Sequence, residues 1–348
     1  MEFYTPLDPL RAYAELAEPR LASFLDQKAV ELSLLPLDLK PAPALLRDYV
    51  LRGGKRLRGA LVLLGHEAAG GQPQDALLPS LGCELLHAYL LIHDDFMDRD
   101  ELRRGGPTLH TSLGKVHGEH LGGSVALLLG SLCQAWAHQL VLAAPVSPER
   151  ALAALRIFEA AIAEVTVGQI LDLLAATRDL PASAILEVER RKTGGYSFEM
   201  PLELGAVLAG ASVELHEALR RYARPLGQAF QIVDDLLGTF GKPEVTGKPN
   251  GSDLREGKRT LLVTRALESA TAADASRLRA GLGKRDLTDA ECDSLRTILL
   301  NTGAVQAARA EAQRLCDESL RALEGAPIAR EVAAKLEWIA KLTVQRAA

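Results

Sequence analysis

Aromatic residues make up only 4% of this 348-residue chain, although 48% of it is hydrophobic. Ala and Leu dominate, and the β-branched and aromatic side chains that fill sheets are scarce. The composition therefore excludes a β-rich core and points to close-packed helices. Positive charge is in no excess either: 40 Lys and Arg against 45 Asp and Glu give a net charge of −5. A broad nucleic-acid or anionic-membrane footprint, which needs a whole face of clustered positive charge, is thereby excluded. The four cysteines (Cys83, Cys133, Cys292, Cys316) lie far apart without metal-type spacing, and no basic-then-apolar leader opens the sequence, the pattern of a reduced cytoplasmic protein. The most membrane-like stretch, 125–146, is interrupted by Gln134, His138 and Gln139. It reads as a buried helix whose apolar core is too short to cross a bilayer, so no transmembrane segment is expected. No Pro/Gly/Ser-rich linker divides the chain, and a single domain over 1–348 is expected.

What is present is helical periodicity. It recurs over 45–64, 77–99, 113–142, 151–177, 185–208, 213–237, 260–280 and 289–323, with Pro, Gly or Asp-rich breaks between, and predicts an all-α fold, one large helical bundle. The break at 241–259 is long, polar and basic, with Lys242, Lys248, Arg255, Lys258 and Arg259. Breaks of that length in compact proteins are often binding loops or lids.

Two acidic clusters interrupt this apolar pattern. In the first, Asp94 and Asp98 are four apart and so fall on one helix face, one turn from each other, beside Asp95. A solvated helix end is the alternative reading. Carboxylates near a helix C-terminus, however, oppose the macrodipole and repel one another, a cost that a cation offsets. The second cluster, Asp234-Asp235, is flanked by Phe230, Ile232, Val233, Leu236 and Leu237. That surround predicts removal from water, which is costly unless a metal or cation pairs with the carboxylates. Sparse acidic ligands near basic residues suit magnesium shared with a diphosphate.

Each basic feature has two readings. Lys55, Arg56 and Arg58 precede the apolar run 61–64 and form an anion site at a helix start, or a basic surface turn. Arg103 and Arg104 either grip phosphate with their guanidinium forks or neutralise the aspartates. Lys192-Thr193-Gly194 offers a cation and a hydroxyl where glycine breaks a helix, or is simply a helix stop. Gln169 and Asp172 are weaker signals still, and His87, two turns before Asp94, also fits a core histidine.

As an ordered set, Gly53-Gly54-Lys55-Arg56-Leu57-Arg58, Glu84-x-x-His87, Asp94-Asp95-x-x-Asp98, Leu102-Arg103-Arg104-Gly-x-Pro-Thr108, Gly168-Gln169-x-x-Asp172, Lys192-Thr193-Gly194, Phe230-Gln231-Ile-x-Asp234-Asp235 and Thr246-Gly247-Lys248 with Lys258 resemble the trans-isoprenyl diphosphate synthases over residues 45–260. The resemblance implies an active cavity inside a helix bundle, a homodimer and three magnesium ions. It also implies condensation of isopentenyl diphosphate with an allylic diphosphate. By that resemblance Asp94, Asp98 and Asp234 ligate magnesium, with Asp95 and Asp235 in support. Arg103, Lys192, Thr193, Gln231, Lys248 and Lys258 would hold the allylic diphosphate, and Lys55, Arg58, His87 and Arg104 the isopentenyl diphosphate.

In this family the residues five and four before the first Asp gauge product length; here they are Tyr89 and Leu90. Tyr89 lies about 7.5 Å down the helix from Asp94, and an aromatic there resembles the geranylgeranyl (C20) variety. Ideal helix angles put Leu90 directly under Asp94, which keeps farnesyl (C15) open. Two departures stand out: Gly238 replaces the frequent third Asp of the second motif, and Ser131 follows Gly130 where many members have Asp. A terpene cyclase is disfavoured by Asp234-Asp235 and the Lys55–Arg58 cluster. A non-catalytic partner subunit would typically have lost an Asp motif, and both are retained.

Overall fold

The computed structural model describes residues 8–35, 39–175, 178–241 and 251–345, and these are overwhelmingly helical, as the composition predicts. The chain divides into two compact units, residues 1–155 with 204–210 and residues 156–203 with 211–348.

The first unit holds α1 (Pro9–Ser33), α2 (Ala42–Leu51), α3 (Leu57–Ala68), α4 (Leu77–Asp98), a two-stranded hairpin of β1 (Leu102–Arg103) and β2 (Gly106–Pro107), α5 (Leu109–His117) and α6 (Glu119–Leu142). The periodicity did not anticipate α1. Its signals are nonetheless present: Asp8 accepts from the backbone N–H groups of Leu10 and Arg11 at 3.0 and 3.2 Å, Pro9 opens the helix, and Leu10, Tyr13, Ala17, Leu21 and Leu25 are buried at helical spacing. The continuous helix expected over 45–64 is two, α2 and α3, because Gly53 and Gly54 take positive φ values of 57° and 110° that no helix contains. The span 113–142 similarly parts at Gly118.

α4 and α6 form the centre of this unit. Small residues of α6 (Gly123, Ala126, Gly130, Cys133, Ala137) recur every three or four positions and are buried, so the two helix backbones approach closely. α4 in turn buries Leu81, Leu85, Leu86 and Ile92 to 1% exposure or less, each worth roughly 1.5–3 kcal/mol. By length and composition alone both Pro73–Asp98 and Glu119–Leu142 could span a membrane, which corrects the expectation that the second is too short. Within those windows 67% of the first and 44% of the second is buried in the protein. α6 is therefore not a buried helix: one face packs on α4, while Leu121, Leu128 and Leu142 stay more than half exposed.

The second unit contains most of α7 (Pro148–Ala175), then α8 (Ala182–Glu189), a π-helical stretch (Arg190–Glu199), the start of α9 (Met200–Ala209), α10 (Val213–Phe240), α11 (Ser252–Glu256), α12 (Leu261–Ser269), α13 (Ala272–Gly281), α14 (Asp289–Asn301), α15 (Ala304–Leu323) and α16 (Arg330–Gln345). α10 is its axis, with Ile232, Val233, Leu262, Leu299 and Ala308 in one core. The Tyr222 hydroxyl donates to Leu336 O and the Ser319 hydroxyl to Tyr222 O, both at 2.7 Å. These bonds satisfy buried polar groups while tying α10 to α16 and α15.

The expected helix 289–323 breaks at Gly303 (φ 76°), and α14 opens on a capping box: Thr288 N–H donates to Glu291 Oε2 at 2.8 Å and Glu291 N–H to Thr288 Oγ1 at 3.3 Å. The span 260–280 is likewise two helices, α13 being capped by Thr271, whose hydroxyl oxygen accepts from Asp274 N–H at 3.1 Å. α16 was not expected. The anticipated loop 241–259 is not loop throughout, since 252–256 is α11. Residues 242–250, which include Lys242, Thr246, Gly247 and Lys248, lie outside the described residues.

Candidate active site

The first acidic cluster occupies the end of α4. Arg99 turns left-handed (φ 58°) and the Asp100 N–H donates to Asp95 O at 2.8 Å, so the helix stops directly after Asp98. Asp94 and Asp98 are partly exposed, whereas Asp95 is 1% exposed. Asp95 is also fully engaged: the Tyr49 hydroxyl donates to its Oδ2 at 2.6 Å and Arg103 Nε to its Oδ1 at 2.7 Å. Arg103 Nη2 also pairs with Asp95, and it reaches Asp94 Oδ2 at 3.4 Å and Asp100 Oδ2 at 3.1 Å. Burial pushes the Asp95 carboxyl up, against the pull of Arg103 and the Tyr49 bond. Burial also works against the charge on Arg103, but Asp95 and Asp94 outweigh it and leave this guanidinium above its ordinary value. The contacts Arg103 makes within the fold are thus the neutralising ones, to Asp94, Asp95 and Asp100.

The hairpin that carries the two arginines turns on Arg104 and Gly105, both with positive φ (52° and 72°), a two-residue loop of the type that matches strand twist. Arg104 is thereby aimed back: Nη1 donates to Gly53 O at 2.9 Å and Nη2 lies 3.4 Å from His87 Nε2. Because a guanidinium only donates, that nitrogen of His87 is the acceptor. Burial, then Arg58, Arg104, Arg103 and Arg56, hold His87 well below its usual pKa, so the imidazole is neutral among four cations. Such a concentration of positive charge is suited to an anion. Arg58 is buried in it, and Lys55 stands exposed on the preceding turn.

Arg56 is a strut rather than a free fork. Its nitrogens reach Glu84 at 3.5 Å, Glu18 at 3.3 Å and Val50 O at 3.1 Å, and Glu84 Oε1 accepts from Gly59 N–H at 2.9 Å at the start of α3. Among the described residues the non-glycine positive-φ positions are Arg56, Arg99 and Arg104. Strained backbone of this kind concentrates at functional sites.

The second cluster lies on α10. Asp234 is partly exposed and Asp235 5% exposed. Gln231 Nε2 donates to Asp235 Oδ1 at 2.7 Å, so Gln231 serves the aspartate. Glu189, at the end of α8, faces Asp235, and both of its carboxylate oxygens and Asp235 Oδ2 are buried without a hydrogen-bond partner among the described residues. Burial pushes Asp235 well up, with the charges of Glu189 and Asp253 adding to it, and burial lifts Glu189 to about 7. Burial and mutual repulsion thus favour the protonated forms of this pair. A Cβ at Gly238 would collide with the Asp253 carboxylate. Thus the room where the resemblance frequently places a third Asp is filled by a carboxylate from α11.

Lys258 Nζ pairs with Glu256 at 2.8 Å and lies 3.8 Å from Asp253. Lys192 Nζ donates to Asp172 Oδ2 at 2.6 Å, with Thr193 buried beside it and Gln169 one turn before Asp172 on α7. The Lys192-Thr193-Gly194 segment does not stop the helix as expected. The helix widens into its π-helical stretch instead, a rare form that recurs at functional sites.

Tyr49, Glu189 and Asp253 escaped the sequence reasoning. Only Asp253 left a trace there, the missing acid at 238. Among the described residues no three His, Cys, Asp or Glu side chains could hold a metal ion by themselves. The donors that are present fit magnesium in chemistry: hard carboxylate oxygens, a pair of them one helical turn apart on α4, and a crowded, partly protonated group on α8, α10 and α11 whose repulsion a cation would relieve.

Residues 42–299 match the family model described as polyprenyl synthetase. The chain is 37% identical over 300 residues to the (2E,6E)-farnesyl diphosphate synthase of Mycobacterium bovis, which covers 85% of this chain and 80% of that one. It is 38% identical over 229 residues to the geranylgeranyl diphosphate synthase of Methanosarcina mazei, covering 66% and 68%. The crystal structure of geranylgeranyl pyrophosphate synthase from Corynebacterium glutamicum, complexed with isoprenyl diphosphate and magnesium, matches with a TM-score of 0.92 at 33% identity, over 96% of this chain and 98% of that one.

Proposed function

The chain belongs to the polyprenyl synthetase family and is a prenyltransferase; from that premise we propose that it condenses isopentenyl diphosphate with an allylic diphosphate to give geranylgeranyl diphosphate. The carrying observation is the buried tyrosine–aspartate–arginine constellation at the end of α4, beside the four guanidiniums around neutral His87. We assign magnesium to Asp94, Asp98 and Asp234, three ions in all. When bound, the metal supplies positive charge that stabilises the departing diphosphate.

Lys192, Thr193, Gln231, Lys258 and Arg103 take the allylic diphosphate, and Lys248 completes this set by the resemblance. Lys55, Arg58, His87 and Arg104 take the isopentenyl diphosphate, orienting its double bond toward the allylic carbon. The allylic C–O bond breaks, its electrons leaving with diphosphate. The isopentenyl double bond then forms the new C–C bond, and a proton is lost to the departing diphosphate. The apolar helix below Asp94 excludes the water that would quench the allylic cation.

The two units are read as one synthase domain over 1–348, because the family match runs through both. A homodimer is supported by the apolar stripe on the outer face of α6, in which Leu121, Val125, Leu128 and Leu132 follow one another at helical spacing and Leu121 and Leu128 are more than half exposed. Four buried cysteines that form no disulfide suit a reducing cytoplasm.

The test is incubation of the purified chain with isopentenyl diphosphate, each allylic primer and magnesium, followed by product sizing. A C20 product is expected. Termination at C15 would replace the product reading with the farnesyl one, and no elongation with any primer would overturn the synthase reading for this chain.

A further inference from the structure

Tyr89 does not stand alone on α4. Its ring centroid lies 4.6 Å from that of His93, with the planes tilted by 60°. The two are one turn apart on the same helix face, and helical side chains lean toward the N-terminus, so the imidazole roofs the phenol. His93 is in turn held from α6: its Nε2 is 3.1 Å from the carbonyl oxygen of Leu127, and since a carbonyl only accepts, Nε2 carries the proton. The imidazole has room there only because residue 130 is glycine. A Cβ at Gly130 would lie 2.8 Å from His93 Cδ2, 3.0 Å from Nε2 and 3.3 Å from Ile92 Cγ2. One turn of α6, residues 127–130, thus receives the histidine, and the histidine fixes the tyrosine.

This arrangement resolves a geometrical difficulty. Tyr89 is five residues before Asp94 and so sits off the axis beneath it, on the side of α4 that faces α6, whereas Leu90 is the residue directly below. A ring so placed can set the depth available to a growing hydrocarbon only if its orientation is fixed. We infer that His93, seated on the Leu127 carbonyl and against Gly130, is a specificity-determining positioning residue that locks Tyr89 and thereby sets product chain length. The inference rests on the synthase reading above. It adds a second helix, α6, to the determinants of length.

The test measures the product distribution of the full-length protein, wild type against His93→Ala, Tyr89→Ala and the double variant. With the roof removed the phenol turns freely, so His93→Ala is expected to raise the ratio of longer to wild-type product by about tenfold, within the range that one hydrocarbon unit commands in an apolar pocket. Because His93 acts through Tyr89, the double variant is expected to match Tyr89→Ala alone. An active His93→Ala with the wild-type distribution overturns the inference, as does a double variant whose shift is the sum of the two single ones. Should His93→Ala fail to accumulate folded, Gly130→Ala carries the test: its methyl displaces the imidazole, the same lengthening is expected, and an unchanged distribution overturns the idea. A wild-type protein that elongates nothing would instead defeat the synthase reading, so the two failures are distinct.

Discussion

Asp95 on α4 and Asp235 on α10 hold the same place, second Asp in their motifs, and both are almost fully buried, yet they are met differently. Asp95 faces a guanidinium and a phenol. Asp235 faces an amide and two more carboxyl groups. The first cluster therefore carries its countercharge within the fold. The second carries none, so burial and carboxyl neighbours push its acids toward the protonated form, and an arriving cation would complete it. Similar acidic pairs in one chain can thus be prepared for the same chemistry by opposite electrostatic means.

The largest expected effects break the comparison at its centre. Asp94→Ala and Asp234→Ala should each lower kcat/KM for condensation roughly 10³-fold. A loss below about tenfold in either, measured at saturating magnesium, would remove that cluster from the machinery. Next comes stability. Arg103→Ala strands a buried carboxylate and should cost about 3–5 kcal/mol in urea unfolding. In contrast, Lys192 and Asp172 retain 22% and 27% side-chain exposure, and Lys192→Ala should cost less than about 1 kcal/mol while still depressing turnover. Equal destabilisation by the two would erase the distinction drawn here.

The smallest effect concerns pH. Folded Glu189 keeps its proton up to about 7, against 4.5 for the ordinary side chain. Across that window the folded state binds more protons than the unfolded one, so its contribution to stability falls as pH rises. Melting temperatures of the magnesium-free protein should fall over this range, and Glu189→Gln should flatten the slope. An unchanged slope would mean that Glu189 does not take up a proton over this range.

Much of this was legible beforehand. The carboxylates at 94 and 98 announce themselves by a four-residue spacing at the end of an apolar run, and α4 does end at Asp98. The basic group was also legible as a group, but the division of labour within it was not. That Arg56 braces Glu84 and Glu18 while Arg104 reaches His87 depends on φ values at Arg56 and Arg104 that no residue type other than glycine advertises. Helix limits failed where a glycine pair or a single glycine was read through, at 53–54, 118 and 303. α1 was missed because Pro19 and a charged outer face obscure its buried stripe. Glu189 and Tyr49 could not be found, since each matters only through a neighbour more than 40 positions away.

Cys83 and Cys133 are sealed within the first unit, Cys292 and Cys316 within the second, and burial raises the pKa of every one of them. Each half of the molecule consequently carries its own pair of silent reporters. An alkylating reagent finds a thiolate only after the surrounding helices have come apart, so the order in which the two pairs are modified records which half opens first.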